Sequence, residues 1–423
     1  MTTDPTDQFD EYRVLLSRQE AKRLRQSLLS PPAPVAADPV DAPLGADHLH
    51  DGADDRGLIT ETLPLVTPFD LLISDLYAVM FDQHPYLRGL FPESMAFQQA
   101  HLERAFHFLI DRLDRPEEVT AFCARLGRDH RKLGVRPVHY EVFETALVEA
   151  LRRRAGALWR QDAEEAWKRM LRRAVAAMVR GAEAALAERP FWNATVTEHQ
   201  LHRPDLAVLR VSPAEPFPYR AGQYALLQSP LLTRAWRPFH VACAPRRDGD
   251  LTFHIRRTGP GGVSDALVHR TRVGDPLLIG PAQGTMTLGD DDLKHDVVIA
   301  ASGTGWAGAK ALVQDLARRR LPGRGAQLFL GVRTRDDLYD LAAVADLERR
   351  HPWLRTVTVT GGAAEGDAFA EAMARRAALS RGLVFVSGPP ALAATVRRLR
   401  ALGLPAERVR HDLAASSPAA LGG

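Results

Sequence analysis

Between residues 57 and 189 apolar side chains recur at helical spacing and strand-like alternation is missing. The clearest helix is Phe69-Asp-Leu-Leu-Ile-Ser-Asp-Leu-Tyr-Ala-Val-Met-Phe81, and the same period predicts helices over 98–113, 116–133, 140–154 and 162–188. This is the pattern of an all-α domain that packs helices around a pocket. Near Ala194 the period changes. Short β-rich runs at 195–199, 206–211, 223–228, 240–244 and 251–256, separated by Pro and Gly, predict an antiparallel β-barrel. From His295 onward strands at 296–301, 326–330, 355–359 and 383–387 alternate with helical patterns, which predicts an α/β, Rossmann-like parallel sheet wrapped by helices. Ahead of all this, residues 8–29 form a charged amphipathic pattern that reads as a short helix. The Pro-, Ala- and Asp-rich stretch from Pro31 to Arg56 reads as a disordered linker. The expected division is therefore 1–56 extension, 57–190 helical domain, 191–291 barrel and 292–423 nucleotide domain.

A chain of 423 residues exceeds a single core, in keeping with this multidomain reading. Hydrophobic content of 45% and charged content of 25% are those of a soluble globular protein. No run of about 18 uncharged apolar residues occurs, and the N-terminus is acidic and polar, so neither membrane insertion nor export is expected. Cys123 and Cys243 fall in different predicted domains, which excludes a disulfide framework and fits a reducing, cytoplasmic location. The net charge of +3 does not point to nucleic acid. Arg152-Arg-Arg154 and Arg318-Arg-Arg320 sit in or at the ends of helical patterns, without interleaved aromatics, as solvated faces do.

Candidate chemistry begins at Leu126-Gly-Arg-Asp-His130, between two helical patterns. A neutral imidazole is a good iron ligand when its other ring nitrogen donates to a carbonyl or carboxylate. A helix ending near Leu133, with Gly134 and Pro137 after it, would hold His130 at a helix end as a haem ligand; most of the 15 histidines in such a chain are simply satisfied polar groups. In the α/β part, Gly303-Thr304-Gly305-Trp-Ala-Gly308 follows a strand and opens a helix, the context in which glycines admit a pyrophosphate to helix N–H groups. Ser387-Gly388-Pro389-Pro390 ends the last strand and would face the same crevice. No acid ends the second strand. Arg333 and Arg335 follow it instead, so both NADH and NADPH remain open.

The barrel carries, in order, Tyr219-Arg-Ala-Gly222-Gln223-Tyr224, Arg237-Pro-Phe239-His240, Gly261-Gly262-Val263-Ser264 and Gly274-Asp275-Pro-Leu-Leu-Ile-Gly-Pro281. With the two nucleotide turns, this order resembles the ferredoxin–NADP reductase family. The helical domain ahead of it, with Tyr77 to Phe81, His84-Pro85, Phe91-Pro92, Gln98 and His130 through Tyr140, makes residues 57–412 resemble a flavohaemoglobin. The resemblance implies haem b, FAD and NAD(P)H as cofactors. It makes His130 the proximal iron ligand, Phe91 the wedge against the haem face, Tyr77 and Gln98 the distal pair, Leu102 a pocket-lining residue and Tyr140 a proximal support. It assigns Tyr224, Arg237, Phe239, His240, Gly262, Val263 and Ser264 to FAD, and Gly303, Thr304, Gly305, Gly388 and Pro389 to the nicotinamide nucleotide.

Several positions depart from the family pattern. Phe239 replaces a tyrosine, His240 a serine and Ser387 a frequent cysteine; Leu413 stands near the usual C-terminal aromatic, and Glu183 falls one position short of the family's proximal glutamate. The activity implied is nitric oxide dioxygenation: NAD(P)H reduces FAD, FAD reduces haem, and the ferrous O2 form converts NO to nitrate. The alternatives are an oxygen- or redox-sensing globin with a self-reducing flavin module, its N-terminal helix contacting a partner, or a flavin reductase for an external acceptor.

Overall fold

The computed structural model describes residues 52–92, 94–364, 366–377 and 382–412. The expected helix at 8–29, the linker up to residue 51, and Leu413 lie outside them. The linker was expected to reach Arg56, but the first helix, α1 (Gly52–Val66), begins within it. Its Asp55 is fully buried, with its carboxylate 2.6 Å from Arg169 and 3.6 Å from Arg173. Acidic residues that look like linker composition are thus held in the helix by arginines distant in sequence.

Five more helices complete the first domain: α2 (Phe69–Gln83), α3 (Ala96–Asp111), α4 (Pro116–His130), α5 (Pro137–Ala155) and α6 (Gln161–Ala184). Their apolar faces share one core containing Phe69, Leu76, Phe106, Leu147, Trp167 and Met170. The helix expected to reach Leu133 stops being α-helical at His130. A 3-10 turn over Arg131–Leu133 follows, closed by Gly134 at φ 74°, a left-handed conformation that glycine adopts without strain. Pro137 opens α5 at its first position, where the missing N–H costs nothing. Helices α4 and α6 cross at backbone contact. A Cβ on Gly127 would overlap the Met178 carbonyl, and one on Gly181 would overlap that of Ala124, so the crossing requires both glycines. That close crossing fixes α4 one turn before His130.

The barrel is a six-stranded antiparallel sheet in the order β4-β3-β6-β1-β2-β5, with β1 (Trp192–Arg203), β2 (Leu206–Pro213), β3 (Tyr224–Gln228), β4 (Arg237–His240), β5 (Leu251–Arg256) and β6 (Pro276–Ile279). Strand β4 lies earlier than the apolar run at 240–244 predicts. It pairs with β3 through Arg237–His240, after which Val241 and Ala242 turn to Phe253 and Thr252 of β5, as corner strands do. A short helix, α7 (Val263–His269), caps the barrel.

The third part is a five-stranded parallel sheet in the order β11-β10-β7-β8-β9. Strands β7 (Val297–Ser302), β8 (Ala326–Val332), β9 (Leu354–Thr360) and β10 (Leu383–Ser387) match the expected positions, and β11 (Val409–His411) is an edge strand that the pattern does not announce. Helices α8 (Trp306–Arg319), α9 (Leu341–Arg350), α10 (Gly366–Ala374) and α11 (Ala393–Ala401) lie between the strands in sequence. The order reverses between β7 and β10, which places a topological switch point at their carboxyl ends. No single helix among the described residues is long and apolar enough to cross a membrane, and α1 with α2 reach that length only as a pair bent by 88°.

Barrel and parallel sheet meet through polar contacts. The His254 Nδ1 lies 2.8 Å from the Tyr339 hydroxyl, and Arg203 pairs with Asp337 at 3.2 Å. Burial, with the charge of Lys310, pulls His254 down to about 3. The unfolded chain takes up this proton near pH 6.5 and the folded chain only near 3, so the contribution is intact above about pH 6.5 and is lost as pH falls through that window. The stability of the full chain is expected to fall between pH 6 and 4. His254→Gln should remove about one proton from the slope, or about 1.4 kcal/mol per pH unit. Denaturant titrations across that range check it: an unchanged slope refutes the assignment.

Candidate functional site

The six helices leave a cavity of about 170 Å³, far larger than a packing defect, that brings together every candidate of the helical domain. Tyr77 comes from α2, Phe91 from the turn after it, Gln98 and Leu102 from α3, His130 from the end of α4 and Tyr140 from the first turns of α5. Tyr77 is 5.5 Å from Phe91, edge to face, and 5.8 Å from Phe81, stacked. Burial pushes its phenol far above the ordinary value, so it keeps its proton and remains a donor. The Gln98 Oε1 is buried at the cavity with no hydrogen-bond partner among the described residues. Such an atom is costly unless something else in the cavity meets it.

The His130 Nδ1 lies 2.7 Å from the Leu126 carbonyl, one turn back on α4. An imidazole that donates from Nδ1 keeps its lone pair on Nε2. Burial also holds its pKa below the usual value, against the opposing pull of that hydrogen bond and of Asp129, so the ring is neutral near pH 7. These are the properties of an iron ligand, delivered into an apolar cavity. Tyr140 is half-buried there, its phenol pushed up to about 12 by desolvation. Glu183 is exposed near the end of α6 and does not line the cavity.

On the barrel, Tyr224 of β3 donates to the Gln283 Oε1 at 3.1 Å and packs edge to face 5.9 Å from His240. His240 is partly buried in the space a Gly308 side chain would fill, with Nδ1 3.2 Å from the Gly222 carbonyl, and desolvation lowers its pKa. Phe239, its neighbour on β4, packs against the barrel core. Arg237 lies 3.8 Å over the Phe97 ring of α3 and donates to the Trp236 carbonyl at 2.7 Å. Among the described residues it makes no ion pair, and desolvation alone lowers its pKa. Gly262 caps α7, whose first residues, Val263 and Ser264, are buried; the Ser264 hydroxyl is engaged 3.1 Å from the Thr258 N–H, holding the Gly-rich turn together.

At the sheet's switch point the Gly303-Thr304-Gly305 turn after β7 meets Gly388-Pro389 after β10. A Cβ on Gly305 would overlap the Ser387 carbonyl, so the turns approach as closely as glycine allows. The adjoining crevice is lined by Gly303, Trp306, Gly331 and Asp337 to Asp340. Asp340 accepts from Trp306 Nε1 at 2.7 Å and from Lys310 at 2.8 Å.

Comparison with known proteins follows the same division. The globin family matches residues 74–178. A flavohemoprotein from Pseudomonas aeruginosa is 24% identical over 385 residues, covering 84% of this chain and 96% of its own. A terephthalate 1,2-dioxygenase reductase component from Comamonas is 29% identical over 242 residues, covering 54% of this chain and 70% of its own. The fold is similar to that of a flavohemoglobin from Malassezia yamatoensis solved with FAD and heme, with a TM-score of 0.65 at 18% identity, covering 85% of this chain and 98% of that one. The chain shares the domain architecture of these flavohaemoglobins. A globin domain is joined to an FAD/NAD reductase-like module, and the chain is an NAD(P)H-dependent oxidoreductase.

Two features of the site carry no motif in the sequence. The Asp129 Oδ1 accepts from Gln283 Nε2 and from Lys132 Nζ, each at 3.1 Å, which ties the helix of His130 to the partner of Tyr224. Arg234, ahead of β4, lines the globin cavity although it belongs to the barrel. No short motif carries either. Asp129 beside His130 was the available hint.

Two outcomes are expected. His130→Ala should lose haem or its five-coordinate ferrous spectrum, and an unchanged absorption spectrum would remove His130 from the site. Arg237→Ala should weaken FAD binding by about 1.5–3 kcal/mol, the range for a charge-assisted bond to a phosphate. Flavin titration of both proteins reads it, and equal affinity refutes the role.

Proposed function

We propose that this protein is a nitric oxide dioxygenase using NAD(P)H, FAD and haem b. The observation that carries the reading is one apolar cavity holding a neutral histidine with a free Nε2 lone pair and a protonated buried phenol. Haem bound there supplies the O2 site, and FAD in the barrel turns a hydride into single electrons.

The chain's own residues do the rest. His130 would hold the iron through Nε2, its ring orientation set by the Leu126 carbonyl. Phe91 and Leu102 exclude water from the face they line. Tyr77 O–H and the Gln98 amide N–H line the cavity and would donate to a negatively charged ligand held there, in surroundings where such bonds are strong. Tyr140 supports the His130 side. Tyr224, Arg237, Phe239, His240 and the Gly262-Val263-Ser264 turn hold FAD, while Gly303, Thr304, Gly305, Gly388 and Pro389 hold the nucleotide. The division at residues 57, 190 and 291 belongs to this reading, with the globin part extended back to Gly52 by α1. A flavin reductase with a structural helical part leaves the cavity and its polar groups without a purpose. A sensing globin with a self-reducing flavin module uses the same nucleotide turns, and turnover of NO against slow ligand equilibrium separates it from the dioxygenase.

Tyr77→Phe tests the proposal, because it deletes the donor and keeps the ring. Bound O2 carries negative charge and CO almost none. The variant should release O2 on the order of 10- to 150-fold faster, the equivalent of about 1.5–3 kcal/mol, with CO release little changed. NO consumption at low oxygen should fall, while flavin reduction by NAD(P)H stays the same. Stopped-flow O2 and CO release from both proteins decides it: equal O2 off-rates remove Tyr77 from the site and weaken the dioxygenase reading.

A further inference from the structure

The globin cavity is not closed by globin residues alone. Between a 3-10 turn at Pro230–Leu232 and β4, the barrel sends a segment against the helical domain. Trp236 is buried in a cluster with Tyr224 and Leu226 of the barrel, against which Phe97 of α3 and Leu133 of the turn after His130 pack. Next to it, Arg234 reaches the cavity wall.

Three observations single out Arg234. Its φ is 67°, the left-handed region, and it is the one non-glycine residue there among the described residues. A side chain in that region is held against its own preference, as residues at functional sites often are. One terminal nitrogen of its guanidinium, NH1, is buried with no hydrogen-bond partner among the described residues. Finally, the residues lining the cavity include no aspartate and no glutamate. The other barrel-facing cations there are engaged: Lys132 with Asp129, and Arg237 over Phe97. A guanidinium with a buried, unpartnered nitrogen at a cavity without an acid is met by an anion that arrives with the ligand.

We propose that Arg234 binds a carboxylate of the porphyrin, so that the FAD barrel itself clamps the haem into the globin domain. The inference rests on the reading of this cavity as a haem site. It makes Arg234 a binding residue contributed across the seam between the two domains, and it explains why the chain keeps a strained arginine where a glycine would sit without cost.

The test compares wild type, Arg234→Gly and Arg234→Gln, each full-length and loaded with protohaem or with protohaem dimethyl ester, whose carboxylates are masked. Transfer of the porphyrin to excess apomyoglobin is followed at the Soret band. Both variants should lose protohaem on the order of 10- to 100-fold faster than wild type, the loss expected for one charge-assisted bond. With the dimethyl ester, all three proteins should transfer at the same rate. Arg234→Gly relieves the left-handed constraint, and Arg234→Gln keeps the stem while removing the charge, so agreement between them assigns the effect to the guanidinium. Equal protohaem loss in wild type and variants overturns the inference, as does an equal acceleration with the ester. Loss of FAD rather than haem from the variants also overturns it, by sending Arg234 to the flavin. Should wild type bind no haem at all, with no Soret band after addition, the haem reading fails, which is a separate result.

Discussion

The hydrogen bond from the His130 Nδ1 to the Leu126 carbonyl is the constraint on which the globin site depends. It is an i to i−4 contact within one helix, so it can only be as fixed as that helix. Rigidity comes from the crossing of α4 and α6, where Gly127 and Gly181 let two backbones touch. Substituting either glycine would part the helices before it altered any cavity residue. The Leu126 carbonyl and the His130 ring would then lose their common reference. A position on α6, which contributes no residue to the cavity, therefore governs the geometry of the ligand.

The same helix end is tied to the barrel. From Tyr224 a hydrogen-bonded chain runs through Gln283 to Asp129, the residue beside His130, and Asp129 also holds the almost fully buried Lys132. Lys132 lies 5.5 Å over the Trp236 ring, and burial lowers its pKa while Asp129 opposes that shift. Removing Asp129 would leave a buried ammonium without its carboxylate, a change that costs about 3–5 kcal/mol where a buried pair is broken. Domain seams of this kind are usually mobile unless large and apolar. Here Trp236, Phe97 and Leu133 supply the apolar part, and the Asp129 pair fixes the register.

How much of this was legible in the sequence follows from the range of each interaction. The helices, the change of period near Ala194 and the alternation after His295 are local, and the structure reproduces them. The ring-to-carbonyl spacing of Leu126 and His130 is also local. The start of α1 was hidden because Asp55 is stabilised by Arg169, far along the chain, and β4 was displaced because Val241 and Ala242 leave β3 for β5. Gln283 and Asp129 are 154 residues apart and carry no motif at either end. Arg234 reads as a loop arginine, and nothing in Thr233-Arg234-Ala235 signals a left-handed backbone.

The charges at this seam do not balance within the chain. Asp129 answers Lys132, but among the described residues Arg234 and Arg237 have no acid partner, and Arg237 is partly desolvated over Phe97. Arg234 lies in the turn before β4 and faces the globin cavity, while Arg237 is on β4 with its guanidinium over Phe97. On the proposed reading each meets an anion when loaded: a porphyrin carboxylate for Arg234, the flavin diphosphate for Arg237. The cofactors then complete the interface as well as the chemistry, since a ligand that binds only the folded state adds stability by mass action.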